Sequence, residues 1–251
     1  MADAEKIFNG TADFYFRYRP TYPEELIDII SKEIGLNPKW EVADIGSGTG
    51  ILSTQFLEHG NPVKCVEPND EMRQMSIKIL SARGKVEFIK GTGENTNLLD
   101  SSVDLVACGQ SFHWMDRRLA KKEFARILRG RKWVVLVWND RQNEPGTFTG
   151  EYESVVRRYS EEYHSTGSTV LNLKDIESLF DGTYREFHLL NIQKLTLKSV
   201  IGRYRSASYA IKPSNPRYEN MIRDFSDVFK KYEKKEYVEM VYMTKLYLGH
   251  L

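Results

Sequence analysis

The chain has 251 residues, enough for one large α/β domain or two small ones. Hydrophobic residues make up 41% and charged residues 28%, the balance of a globular soluble protein. Thirty-six basic against 35 acidic side chains leave a net charge of +1, so no strong field would draw the chain to nucleic acid or an anionic membrane, and a small neutral or mixed-charge partner is expected.

From Met1 to Asp13 there are charges and no apolar run, against a signal peptide, and no window anywhere resembles a membrane span. Residues 25–36 place Leu26, Ile27, Ile29, Ile30 and Ile34 at helical spacing, opened by Pro23 and Glu24 and closed by Gly35. Glu41 to Gly46 reads as a short buried strand running into a glycine-rich turn. A helix carrying Ile51, Leu52, Phe56 and Leu57 follows, then a strand at 63–66 with Glu67 at its end. Asn69 or Asp70 caps a helix with Met72, Met75, Ile79 and Leu80 on one face. Strands are expected at 86–89 and 103–108. Asp116 caps a helix bearing Leu119, Ala120, Phe124, Ile127 and Leu128, closed by Gly130. Trp133 to Trp138 is apolar throughout, as a strand covered on both faces should be. After Arg141 the rhythm changes. A helix is expected over 149–164, a strand over 187–197, a short helix carrying Arg203, Tyr204, Arg205 and Tyr209, a charged helix over 217–235 and a strand over 238–248.

Strands alternating with helices predict an α/β fold, a doubly wound and mostly parallel sheet with an antiparallel edge strand and helical cover insertions. One domain spans 1–251: N-terminal cap helices over 1–36, a cofactor-binding core over 37–141, cover insertions and the sixth strand over 142–235, and the last strand over 236–251. Cys65 and Cys108 fall in strand-like runs and read as buried thiols, and with no disulfide framework a cytoplasmic location is expected. The run Lys230, Lys231, Lys234 and Lys235 is followed by Glu236 and Glu239 and reads as a solvated face.

Gly46, Gly48 and Gly50 follow the first strand and open a helix, where glycines let a ligand approach the backbone. A dinucleotide loop would carry its third glycine one place later, where Ile51 stands, and a phosphate-binding P-loop would need a lysine that is absent. Asp44, beside the loop, would repel a pyrophosphate and suits a ligand with an ammonium group. Glu67, about 20 residues on, is placed to accept both ribose hydroxyls. The pair specifies a nucleoside with free ribose hydroxyls and a tail without phosphates, which S-adenosylmethionine fits.

Together with Val66-Glu67-Pro68-Asn69, Met72, Gly93-Glu94, Ser102 to Val106 and Gln110-Ser111-Phe112-His113-Trp114, the stretch Val42 to Gly50 resembles the class I S-adenosylmethionine-dependent methyltransferases. Within them (the methyltransferase type 11 family) it is most similar to the branch of trans-aconitate methyltransferase-like proteins, and Tyr18-Arg19-Pro20-Thr21-Tyr22-Pro23 resembles that branch too. The resemblance implies the Rossmann-like methyltransferase fold. It also implies that Gly46 and Gly48 pass beneath the methionine part of the cofactor, with Asp44, Ser47 and Gly50 of the same loop counted in the cofactor site, and that Glu67 holds the ribose. It puts Pro68 and Met72 about the adenine, Thr92 and Gly93 at its edge with Glu94 in support, and Gln110 near the methionine end. Tyr18 and Arg19 would close over the cofactor. Many relatives have Asp where Thr92 stands, so that contact to the adenine amine is weaker here.

The acceptor should meet residues that follow strands four and five. His113 either orients the acceptor or takes its proton, or hydrogen-bonds locally; Trp114 walls the pocket or belongs to the core. Trp138 and Arg141 end strand five, Arg141 as a fork for a carboxylate. Tyr22 and Tyr204 complete the candidate set, and Arg203 and Tyr209 suit an anionic substrate as well as they suit a solvated face. The expected activity is methyl transfer to a small-molecule acceptor, with a carboxylate oxygen suggested by the resemblance. An apolar quinone- or sterol-like acceptor, a nicotinamide-dependent oxidoreductase and a non-catalytic cofactor-binding protein are the alternatives. No metal, nucleic-acid or membrane partner is expected, and the chain is expected as a monomer or homodimer.

Overall fold

The computed structural model describes residues 10–160, 163 and 172–251. In chain order the elements are α1 (Ala12–Tyr18), α2 (Glu25–Ile34), β1 (Val42–Ile45), α3 (Ile51–Glu58), β2 (Val63–Val66), α4 (Asp70–Leu80), β3 (Val86–Ile89), β4 (Val103–Gly109), a 3-10 turn (Phe112–Trp114), α5 (Arg117–Ile127), β5 (Leu128–Arg141), α6 (Phe148–Tyr159), α7 (Leu173–Leu179), β6 (Tyr184–Leu195), α8 (Leu197–Arg205), α9 (Tyr218–Tyr232) and β7 (Val238–His250).

The seven strands form one sheet in the order β3-β2-β1-β4-β5-β7-β6. The first five are parallel, and β7 runs antiparallel to both β5 and β6, so the antiparallel pairing lies at one edge as the alternating pattern of the last third predicts. The chain order reverses between β1 and β4, which opens a crevice past their carboxyl ends, where such sheets take ligands.

The apolar strands of the sequence are apolar because both faces are covered. On one face Ala43, Ile45, Val106, Cys108, Val134 and Leu136 pack against Phe124 and Ile127 of α5 and Ile176 and Leu179 of α7. On the other, Val42, Cys65, Leu105, Val135 and Val137 pack against Leu26, Ile27 and Ile30 of α2 and Leu52 and Phe56 of α3. Both cysteines are fully buried thiols. A third cluster joins α6, α8 and α9 to Met240 and Tyr242 of β7, beside the carboxyl end of β5.

The caps read from sequence are in place. Asn69 accepts from the Met72 N–H at 2.9 Å, Asp116 accepts from the Leu119 N–H at 2.9 Å, and Gly35 ends α2 in the left-handed conformation.

Several boundaries differ from the sequence reading. α5 ends at Ile127 rather than at Gly130, because Leu128 already pairs with Val103 of β4; β5 therefore starts at Leu128, and it runs on through Asn139, Asp140 and Arg141, where β7 supplies the ladder partners of those polar residues. Tyr209 lies beyond α8, which occupies 197–205 rather than a helix around 203–209. The first part of the helix expected at 149–164 is α6, and 161–162 and 164 lie outside the described residues. The helix α7 has no counterpart in the pattern: only Ile176 and Leu179 of it are buried, and the ion pair of Arg117 with Asp175 at 3.2 Å fixes it to α5. Among the described residues no helix is long and apolar enough to cross a membrane, and no group of three His, Cys, Asp or Glu side chains could hold a metal ion.

Candidate functional site

A cavity of about 360 Å³ opens at the crevice between β1 and β4, within the range of small-ligand sites. It is lined by Tyr15, Gly46, Gly48, Glu67, Pro68, Met72, Thr92, Gly93, Glu94, Gly109, Gln110, Ser111, Trp114, Met115 and Leu119. Most of the wall comes from loops that follow parallel strands; Gly109 is the last residue of β4, and Tyr15, Met72 and Leu119 come from α1, α4 and α5.

The glycine loop is held against the end of β2. The Gly46 and Ser47 N–H groups donate to the Val66 carbonyl at 2.8 and 3.1 Å, and Gly50 donates to Ser47 at 2.9 Å. Gly46 has φ +69, and a Cβ there would stand 2.5 Å from the Ser111 Cβ. Only glycine accepts both the conformation and that contact. Ser111 in turn donates to the Ile45 carbonyl at 2.6 Å, so the β1 and β4 loops are clamped together at the cavity floor. Gly93 sits equally close to the Met115 side chain, which fills the place of a Cβ.

Glu67 is buried and bridges the two halves of the site. Its Oε2 accepts from the Gly48 N–H at 2.8 Å and its Oε1 from the Asn69 N–H at 2.8 Å. Burial raises its pKa above the ordinary carboxylate range, opposed by those two backbone hydrogen bonds and by Arg73. Each carboxylate oxygen keeps a lone pair for a ligand hydroxyl. The Thr92 hydroxyl accepts from the Asn95 N–H at 3.2 Å and retains its own proton as a donor. Glu94 faces the cavity while accepting from the Asp116 N–H at 2.7 Å, which ties the β3 loop to the start of α5. Gln110 holds φ +56, a strained conformation for a residue with a side chain, and its N–H donates to the Val137 carbonyl at 2.9 Å.

Ten of the residues that the sequence marks as candidates therefore share one cavity: Gly46, Gly48, Glu67, Pro68, Met72, Thr92, Gly93, Glu94, Gln110 and Trp114. The others stand off its wall. Asp44 is buried in β1, where the Ser53 hydroxyl donates to its Oδ2 at 2.6 Å and Oδ1 has no hydrogen-bond partner among the described residues. Desolvation there pushes its pKa up to about 7. The Ser47 hydroxyl is buried, and Gly50 starts α3 with Leu80 packed beneath it. Tyr18 packs on Gly202 of α8 rather than over the cavity. Arg19 lies with its guanidinium 4.6 Å from the Tyr15 ring centroid and donates to the Ser206 Oγ and carbonyl at 3.1 and 3.0 Å.

Among the acceptor-side candidates, Tyr22 is core, its hydroxyl beneath Gly109. Tyr204 is fully buried, its hydroxyl 2.9 Å from Ser160 and accepting from the Ile211 N–H at 3.1 Å. Trp138 is core. His113 lies between Trp114 (ring centroids 4.7 Å apart) and Trp138 (5.9 Å). Burial, with Arg117 adding to it, lowers its pKa to about 4, so the imidazole is neutral at neutral pH and a weak base. Arg141 pairs with Glu153 at 2.8 Å and donates to the Tyr163 hydroxyl at 2.9 Å. Tyr15, Gly109, Ser111, Met115 and Leu119 were not singled out from sequence. Gly109, Ser111 and Met115 flank the residues that were, whereas Tyr15 and Leu119 reach the cavity only through helix packing.

Residues 43–136 match the family described as methyltransferase domain. An uncharacterized methyltransferase of Mycobacterium tuberculosis (strain ATCC 25618 / H37Rv) is 36% identical over 144 residues, 57% of this chain and 56% of that protein. An uncharacterized methyltransferase of Schizosaccharomyces pombe is 30% identical over 129 residues, 51% of each. The chain thus spans about half the length of these relatives. Among solved structures, a SAM-dependent methyltransferase from Thiobacillus denitrificans in complex with S-adenosyl-L-homocysteine superposes with a TM-score of 0.54 at 19% identity, covering 98% of both chains. A chain assigned as a type II methyltransferase from Anaeromyxobacter dehalogenans gives 0.65 at 17% identity, covering 93% of this chain and 98% of that one. These two likenesses are of fold.

Proposed function

We propose, from the match of residues 43–136 to the methyltransferase domain family, that the chain transfers a methyl group from S-adenosylmethionine to a small-molecule acceptor, with a carboxylate oxygen as the accepting atom. The observation that carries the cofactor reading is the buried Glu67 carboxylate, fixed by the Gly48 and Asn69 N–H groups at the wall of a cavity floored by the glycine loop. That arrangement suits a nucleoside: ribose hydroxyls on Glu67, a base between Pro68 and Met72 with the Thr92 hydroxyl at its edge, and a tail along Gly46, Gly48 and Gln110.

The cofactor supplies an electrophilic methyl carried on a sulfonium. What the chain must do is hold the acceptor atom in line with it and exclude water. Trp114, Met115, Leu119 and Met72 give the cavity a largely apolar wall. A carboxylate acceptor is already ionised at neutral pH and needs no base, in keeping with a His113 imidazole too weakly basic to serve as one. An apolar quinone- or sterol-like acceptor fits less well, because Arg141 and Arg203 are buried at the carboxyl end of β5 and against β7.

A calorimetric titration with S-adenosylhomocysteine beside NADH tests the reading. Binding of the first alone supports it, binding of NADH would replace it with an oxidoreductase, and binding of neither would sink it. Cofactor binding without labelled-methyl transfer to any small carboxylic acid would favour a non-catalytic binding protein.

A further inference from the structure

The sheet ends in a strand with one side open. β6 lies at the edge and pairs with β7 alone, without a register shift from Tyr184↔Gly249 to Leu195↔Val238. Among the described residues, no group outside β7 hydrogen-bonds to a backbone N–H or carbonyl of residues 184–195. A strand edge of this length is a template for another strand, and folds usually blunt it with a proline, a bulge or a charge at its centre. β6 has none of these, and its centre is Leu189-Leu190-Asn191. Its two faces differ. Phe187 and Leu189 pack on the core cluster that includes α2, while Asn191 donates to the Thr21 carbonyl at 2.7 Å and Gln193 to the Tyr18 carbonyl at 3.0 Å. The alternate residues Glu186, His188, Leu190, Ile192 and Lys194 face the other way and are exposed. Leu190 is 62% and Ile192 45% exposed, beside their half-buried β7 partners Met243 and Val241. Single exposed apolar side chains are ordinary, but a contiguous group of them on an open edge marks an interaction surface.

Charge on this face is sorted toward the two ends of the strand. Glu186 stands near the start, where it and Glu177 both act on the Tyr184 hydroxyl. Its ion-pair partner among the described residues is His188, at 2.6 Å. Lys194 stands near the end and lines one cavity with Lys234 and Lys235, Glu239 alone opposing them. A second copy laid antiparallel along the open edge is related by a two-fold axis normal to the sheet, so opposed residues share a face and the axis passes between two copies of one residue. With that residue Leu190, Glu186 lies opposite Lys194 of the partner subunit, at both ends of the pairing. The two Leu190 side chains then meet at the axis, and Ile192 lies opposite His188 of the partner subunit. Centring on Leu189 instead sets Glu186 against Ile192 of the partner subunit, and centring on Asn191 sets His188 against Lys194 of the partner subunit. Of these three registers, the one centred on Leu190 joins the acidic end of each strand to the basic end of the other.

We propose that β6 pairs with β6 of a second copy of this chain, antiparallel and centred on Leu190, to form a two-fold dimer with one sheet running through both copies. Backbone hydrogen bonds along the open edge supply the pairing, Leu190 and Ile192 bury their apolar surface, and two Glu186–Lys194 ion pairs fix the register. The interface lies at the far edge of the sheet from β1 and β4, separated from β4 by β5 and β7, so each copy keeps its own cavity. The pairing is independent of the methyl-transfer reading above.

Sedimentation equilibrium on the full chain, from low micromolar to near-millimolar protein at low salt, reads the association directly. The parent should be a dimer in equilibrium with monomer, and Leu190→Lys should raise the dissociation constant by about tenfold or more. Glu186→Lys and Lys194→Glu should each weaken it by about tenfold, because each sets two like-charge pairs in the interface. An equimolar mixture of Glu186→Lys and Lys194→Glu should associate as the parent does, since in the mixed dimer both pairs are again of opposite sign. Recovery in the mixture also shows that each variant is folded. A parent that stays monomeric throughout overturns the proposal. So does a dimer that Leu190→Lys leaves unchanged, which would place another face in the interface. A mixture no more associated than its two components, with both melting as the parent does, refutes the two-fold register.

Discussion

Replacing Glu67 by Ala removes the one charged group that joins the glycine loop, the end of β2 and the proposed ribose site. Two backbone N–H groups, of Gly48 and Asn69, lose acceptors at 2.8 Å. Hydrogen bonds to an ionised acceptor contribute roughly 1.5–3 kcal/mol each. Part of that is returned, because burial disfavours the carboxylate's charge, so a net loss of folding stability of about 2–4 kcal/mol is expected. The ribose hydroxyls lose their acceptor as well, which should weaken S-adenosylhomocysteine by about 1–3 kcal/mol, or roughly 5–150-fold in Kd. Calorimetry on the parent, Glu67→Ala and Glu67→Gln reads this directly. Glu67→Gln keeps the shape but turns an amide N–H₂ toward one of the backbone donors, so it should not restore affinity. A 3′-deoxyribose analogue of the ligand separates the ribose contact from loop disorder: the parent should discriminate against it and Glu67→Ala should not. If Glu67→Ala melts cooperatively and binds S-adenosylhomocysteine as the parent does, the ribose assignment is refuted.

Asp44 makes a pH prediction with a definite sign. Its carboxyl titrates near 7 in the fold against 3.8 ordinarily, so the folded state holds the extra proton and stability falls as pH rises from about 4 to about 7. The shift corresponds to on the order of 4 kcal/mol. Asp44→Asn should remove that slope, and the difference between parent and variant in urea midpoints from pH 4 to 8 isolates it; parallel curves would contradict it. His113 acts oppositely, since its imidazole charges only near pH 4 in the fold, so stability falls as pH drops below about 6.5. His113→Ala should flatten that limb. It should also lower the turnover rate by roughly 3–10-fold with little change in cofactor affinity, because the imidazole backs the cavity residue Trp114. Equal turnover in the two proteins would leave His113 a packing role only.

The cavity proposed for the cofactor was legible because its parts are local in sequence. Gly46, Gly48, Glu67, Gly93 and Gln110 each follow a strand, and a parallel sheet brings all such ends to one edge whatever the remaining detail. The apolar runs mark those strands plainly, since burial on both faces leaves them mostly apolar, with Asp44 in β1 and Asp104 in β4 as exceptions. The residues assigned to the acceptor were less legible. Tyr22, Trp138 and Tyr204 sit next to the right elements, but which way each side chain turns depends on helices packed from other segments. The same holds for Tyr15, brought to the cavity by α1 packing on α4 and α8.

Composition, hydrophobic period and glycine spacing by themselves determine a parallel sheet, its capped helices and a nucleoside-type loop, because these follow from interactions within about a turn or a strand. Only the tertiary structure decides that Arg19 and Arg203 meet at the Ser206 hydroxyl, since residues this far apart along the chain come together through α8 packing on α1. Nothing local in the sequence encodes that meeting.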